Sequence, residues 1–104
     1  MSIQYLQVSI SAENKTQADK ILNALLSKKL VTGGQIINAP ARFLWKGEIV
    51  DMNYHTIMSF TAEKHKEAII LVVKENSIEE VPMISFVKIE GNTELLKWIE
   101  ETVS

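Results

Sequence analysis

Ala39-Pro-Ala-Arg-Phe-Leu-Trp45-Lys-Gly-Glu-Ile-Val-Asp-Met-Asn53-Tyr-His-Thr-Ile-Met-Ser-Phe-Thr-Ala62 is the stretch whose reading decides the fold. Its residues alternate with the period of a β-strand. Phe43, Trp45 and Gly47 share one face, and Arg42, Leu44 and Lys46 share the other. Further on, Met52, Tyr54, Thr56, Met58 and Phe60 oppose Asn53, His55, Ile57 and Ser59. Period-two spacing with aromatic and β-branched residues predicts two long strands rather than helices. The turn between them is expected near Gly47 to Asn53. Neither face is cleanly polar, so both need cover, and a chain this small has too few helices to supply it. A partner chain is the expected cover.

The whole chain has 104 residues, enough for one domain with one core, expected to span 1–104. No apolar run approaches the ~20 residues of a membrane-spanning helix. The opening Met1-Ser-Ile-Gln-Tyr5 enters a strand-like pattern directly, without a signal-peptide profile, so a cytoplasmic location is expected. Acids and bases are mixed, with a net charge of -2, which provides no electrostatic footprint for nucleic acid or an anionic membrane. Cysteine is absent, which excludes disulfides, thiolate metal sites and a cysteine nucleophile.

Working outward, Ile3 to Ser11 alternates as a central strand would. Asn14 is placed to cap a helix, with Gln17 three residues on to complete a capping box. Ala18, Ile21, Leu22, Leu25 and Leu26 then recur at helical spacing, leaving Lys15, Lys20, Lys28 and Lys29 outward. Thr32-Gly33-Gly34 breaks the pattern before Gln35-Ile36-Ile37-Asn38 begins the next strand, where Pro40 favours an edge position. Gly33-Gly34 is a loop rather than a phosphate cradle, since no helix start follows it.

Phe43-Leu-Trp45-Lys-Gly47-Glu-Ile49 resembles the aromatic-x-Trp-x-Gly-x-Ile hairpin of the CutA divalent-cation tolerance family. Glu80-Val81-Pro82 resembles that family's Glu-Val-Pro. Gly91-Asn92, with Leu96 and Trp98, resembles its Gly-Asn-x-x-Tyr-Leu-x-Trp ending. Other positions depart from the family pattern. Ser77-Ile78-Glu79 replaces His-Pro-Tyr, Tyr54 stands where a glutamate usually follows the hairpin turn, Phe60-Thr61 replaces Lys-Thr, and Gly33-Gly34 lies where a cysteine is usual. The resemblance implies an α+β, ferredoxin-like βαββαβ sandwich with a C-terminal helix. Its four-stranded antiparallel sheet would carry a long protruding β-hairpin and assemble as a tight homotrimer. Phe43, Trp45, Phe60 and Trp98 are its expected trimer-interface residues.

That plan settles one ambiguity. Ala68-Ile-Ile-Leu-Val-Val73 alone would pass for a buried strand, but a crossover helix is needed there, and Ala68, Leu71, Val72 and Glu75 fit one. Met83 to Ile89 is the fourth strand. Asn92 starts a last helix on which Leu95, Leu96, Trp98, Ile99 and Val103 recur. The expected sheet has its helices on one face and leaves the other for neighbouring copies.

The family name implies a divalent ion, and copper, nickel or zinc would suit a histidine site. His55 and His65 have no bidentate spacing, but three copies of His55 around a threefold axis would make a metal site. The plainer alternative is a half-buried strand histidine with one hydrogen bond. Adjacent Glu79 and Glu80 point to opposite faces of a strand, so Glu80, beside Val81-Pro82, is the expected cleft residue. Arg42, the sole arginine, either clamps an anion beside Tyr54 and Glu80 or forms an intersubunit ion pair with Glu48 or Asp51. No catalytic triad, phosphate loop, zincin motif or dinucleotide fingerprint is present, so an enzyme is not expected.

Three functions follow as expectations. The first is a homotrimeric divalent-cation tolerance protein. The second is a small-molecule-sensing regulator resembling the nitrogen-regulatory PII type, with ligand clefts between subunits. The third is an assembly module without a ligand.

Overall fold

The computed structural model describes residues 4–104. Its elements run β1 (Tyr5–Ala12), α1 (Lys15–Ser27), β2 (Gln35–Trp45), β3 (Glu48–Ala62), a short 3-10 turn (Glu63–His65), α2 (Lys66–Asn76), β4 (Ile84–Lys88) and α3 (Thr93–Thr102). The four strands form one antiparallel sheet in the order β2-β3-β1-β4, the arrangement expected of a ferredoxin-like βαββαβ chain. Ile3, assigned to the first strand from sequence, lies outside the described residues.

The hairpin is longer than its sequence implied, because the turn occupies only two residues. Lys46 (φ 50°) and Gly47 (φ 83°) both take the left-handed region, and Trp45 pairs directly with Glu48. Such a turn matches the twist of the flanking strands, and glycine enters it without steric cost. Asp51 and Asn53, expected near the turn, are instead strand residues opposite Arg42 and Pro40. β1 pairs with β3 only from His55 to Ala62, so residues 48–54 have β2 as their sole sheet partner. At about 3.3 Å per residue the free part projects about 20 Å. The molecule is correspondingly elongated, 45 × 25 × 21 Å.

Register decides which side chains meet. Ile10 pairs with Ile57 and Val8 with Ser59, so these share a face with Ala12 and Ile36. That face carries the main core, closed by Ala18, Ile21 and Leu25 of α1 and by Ile69, Val72 and Val73 of α2. Removing each such aliphatic side chain from water contributes roughly 1.5–3 kcal/mol. The stripe of α2 is rotated from the one expected: Ala68 and Leu71 face solvent, Leu71 at 58% exposure, while Ile69 and Val73 are buried. All six residues from Ala68 to Val73 are small or apolar, so spacing alone could not set the phase.

The helices do not all lie on one face. Tyr5, Phe60 and Ala62 alternate onto the side away from α1 and α2, and there they pack against Leu95, Leu96, Ile99 and Val103 of α3. α3 thus covers the root of the second face and leaves the hairpin side of it open.

The ends of α1 follow the capping rules with two exceptions. Asn14 Oδ1 accepts from Gln17 N at 2.9 Å, the expected cap. Gln17, however, does not close a capping box; its Oε1 accepts from Ile78 N at 3.0 Å and ties α1 to the loop before β4. At the other end Leu30 N bonds to Leu25 O and Lys29 N to Leu26 O, a Schellman ending. The left-handed position is held by Lys29 (φ 55°) where glycine is usual.

Candidate cleft between the hairpin and the loop before the fourth strand

Beyond the end of β1, the loop of residues 77–83 lies alongside the projecting half of the hairpin and closes a cavity of about 350 Å³ against it. Besides the backbone bond from Ser11 N to Met83 O and the Gln17 bond to Ile78 N, side-chain hydrogen bonds hold the loop there. Ser11, the last residue but one of β1, donates from Oγ to Glu79 Oε2 at 2.9 Å and accepts from Met83 N at the same distance. Tyr54 Oη donates to Glu79 Oε1 at 2.6 Å. Glu79 N donates to Ser77 Oγ at 3.1 Å, a local turn that aims the carboxylate inward. Charge-assisted hydrogen bonds of this kind are the strong ones.

Tyr54 also meets Phe43 edge to face, with ring centroids 5.2 Å apart. Its hydroxyl is pushed well above its ordinary pKa of 10.0, first by burial, then by the bond to Glu79 and by the charges of Glu79 and Glu13. Tyr54 is therefore a neutral donor across the physiological range.

The residues singled out from sequence fall in different places. Tyr54 and Glu80 both line the cavity, as do Phe43 and Trp45. Arg42 does not join them. It alternates onto the other face of β2, where Nε lies 2.6 Å from Asp51 Oδ1, a cross-strand pair within one hairpin rather than between subunits. Glu80 is exposed and pairs with Lys46, Nζ to Oε2 at 3.1 Å. The inward carboxylate is Glu79, which strand alternation had set aside. Residues 77–83 form a loop, and its turn directs Glu79 inward and Glu80 outward. Ser11, Glu13 and Lys46 gave no sequence signal, since only the fold brings Glu13 to the cavity and Ser11 and Lys46 to the carboxylates of Glu79 and Glu80. Phe60 packs with α3, and Trp98 borders a separate hollow near Gly33 and Gly34.

A metal ion does not fit the residues of one chain. Among the described residues no three His, Cys, Asp or Glu side chains converge to hold one. His55 lies on the helix-covered face, paired with Ala12 and Asn38, and its Nδ1 is buried without a hydrogen-bond partner. His65 Nε2 is engaged with Val103 O.

The family comparison agrees with the fold. Residues 6–102 match the model of the CutA1 divalent ion tolerance protein family. The divalent-cation tolerance protein CutA of Thermotoga maritima is 34% identical over 92 residues, covering 86% of this chain and 90% of that one. The structure named as the periplasmic divalent cation tolerance protein CutA from Archaeoglobus fulgidus superposes with a TM-score of 0.92 at 28% identity, over 96% of this chain and 99% of that one. The divalent cation tolerance protein from Thermus thermophilus gives 0.91 at 25% identity, with the same coverage. With the hairpin, the strand order and nearly the full length in agreement, the chain belongs to the CutA1 divalent ion tolerance family.

Proposed function

We propose that this protein serves divalent-cation tolerance as a cytoplasmic homotrimer and is not an enzyme. The observation that carries the reading is the bare outer hairpin. Leu44 and Ile49 pair across it at 79% and 70% exposure, while Phe43 and Trp45 occupy its reverse side. Apolar surface on both sides of a projecting ribbon marks a contact site, and a closed ring of copies covers every such ribbon alike. The tolerance role is supported by family membership and by the names its relatives bear. The non-enzymatic reading is supported by the two histidines: neither lines the cavity in which Tyr54 and Glu79 meet.

Native mass spectrometry after chelation, repeated with copper, nickel or zinc added, tests this reading. A trimer is expected. Ions retained by the trimer and lost on His55→Ala would place a metal where three copies meet, whereas a bare trimer would retire His55 as a ligand. A monomer would overturn the proposal. Cell fractionation tests the location, since the Archaeoglobus relative is named as periplasmic.

A second reading, a ligand-responsive regulator of the PII type, is favoured by the cavity beside Tyr54 and Glu79. Ligand-dependent change in the trimer's hydrogen exchange at residues 77–83 is its test.

A further inference from the structure

Beyond His55 the hairpin loses β1 and becomes a two-stranded ribbon. A ribbon of that kind twists and bends more readily than a wider sheet. Its cross-strand pairing keeps its shape but does not set the direction in which it leaves the molecule. The lever is long. With a free part of about 20 Å, a pivot of about 10° moves the tip by about 3.5 Å, the spacing of two carbon atoms in contact. Leu44 and Ile49, the exposed pair near that tip, would then miss an apolar partner surface.

The direction is set by the loop of residues 77–83, which is itself fastened to the body of the molecule. Ser11 N donates to Met83 O at 2.9 Å, Met83 N to Ser11 Oγ at 2.9 Å, and Ile78 N to Gln17 Oε1 at 3.0 Å. These bonds tie the loop to β1 and α1. Two carboxylates then reach the ribbon. Glu80 Oε2 lies 3.1 Å from Nζ of Lys46 at the turn, but both side chains are largely exposed and such a pair contributes little. Glu79 differs. Its Oε2 accepts from Ser11 at 2.9 Å and its Oε1 from Tyr54 at 2.6 Å, so one half-buried carboxylate joins body and ribbon. Tyr54 is the first residue past the end of the pairing with β1, where a brace acts on the pivot itself. It also meets Phe43 on the other strand edge to face, so both strands are held.

We infer that the Glu79 carboxylate fixes the angle of the hairpin, and so its fit to a second copy of the chain, with Ser11 and Tyr54 as its anchors. Glu79 is a positioning residue: it acts on the contact through Tyr54. The inference rests on the trimer proposed above. A closed ring repeats one contact at every interface, so a hairpin free to pivot weakens all of them at once.

Sedimentation of the intact protein over a dilution series tests it, on the parent and on Glu79→Ala, Tyr54→Phe and Ser11→Ala. Each variant should raise the concentration at which the assembly half-dissociates by about tenfold, the worth of one charge-assisted hydrogen bond. Ser11 is the decisive position, because at 4% exposure it offers a neighbouring copy no surface of its own. Adding Tyr54→Phe to Glu79→Ala should weaken assembly no further, since both interrupt the same brace. Thr61→Val is the control: it breaks a buried bond at the root, so it should lower the urea midpoint and leave the dissociation concentration unchanged. The inference is overturned if the three variants assemble as tightly as the parent. It is also overturned if the effects of Tyr54→Phe and Glu79→Ala add, or if Thr61→Val loosens the assembly equally. A parent of single-chain mass overturns the trimer reading and this inference together, whereas a parent trimer indifferent to all three variants overturns this inference alone.

Discussion

β3 is one strand with two physical lives. From His55 to Ala62 it pairs with β1, with β2 on its other side as far as Met58, and Ile57 and Thr61 are fully buried. From Glu48 to Tyr54 it has a single sheet partner, and Ile49 is largely bare. Both halves alternate and both are rich in apolar residues, so composition does not tell them apart. What differs is the cover. The root is stabilised by this chain's own helices, whereas the tip has only the 77–83 loop along part of one face. Hydrophobic residues at the root serve folding; in the assembly proposed above, those at the tip serve contact with another copy.

The largest expected effect breaks the root. Ile57→Ala should cost about 2–5 kcal/mol, read as a lowered urea midpoint, because the surrounding core of α1 and β1 cannot collapse into the gap. A smaller loss at this site would mean that the core is loosely packed and the contrast overstated.

Thr61→Val comes next. Thr61 Oγ1 donates to Leu30 O at 2.6 Å in a fully buried setting, so the change strands a carbonyl at a cost of about 1–3 kcal/mol. The same chemical unfolding measurement checks it.

The pH prediction addresses the boundary between the halves. The pKa of Tyr54 is raised in the folded state, so its contribution to stability is complete below the ordinary tyrosine value of 10.0 and is lost as pH rises above it. Tyr54→Phe should therefore flatten the fall in stability above pH 10.0, measured by alkaline denaturation, relative to the parent protein.

The smallest effect on the fold is at the tip. Arg42→Ala removes an exposed cross-strand ion pair and should cost at most about 1 kcal/mol in a urea titration. A loss as large as that of Ile57→Ala would mean the tip is integral to the core.

Legibility divides along the same line. The hairpin, Asn14 as a cap and the last helix were readable because alternation, capping chemistry and helical spacing act locally. The two-residue turn was harder, since Asp51 and Asn53 are turn-forming residues that cross-strand pairing holds extended. The phase of α2 was hidden by a uniformly apolar run. The second-face position of α3 depends on tertiary packing against Phe60 and Ala62. At the cleft, Tyr54 and Glu80 stood out by kind and by motif, but Glu79 was discounted by a strand rule that a loop does not obey. Ser11 and Lys46 were silent because they reach the site through strand ends and a turn tip, which no spacing encodes.

The most direct test of the division is the solution mass of the parent protein beside that of Ile49→Lys. The account predicts three times the chain mass for the parent, and dissociation by Ile49→Lys with an unchanged circular dichroism spectrum. A parent protein of single-chain mass, or an Ile49→Lys protein that stays assembled, would contradict it.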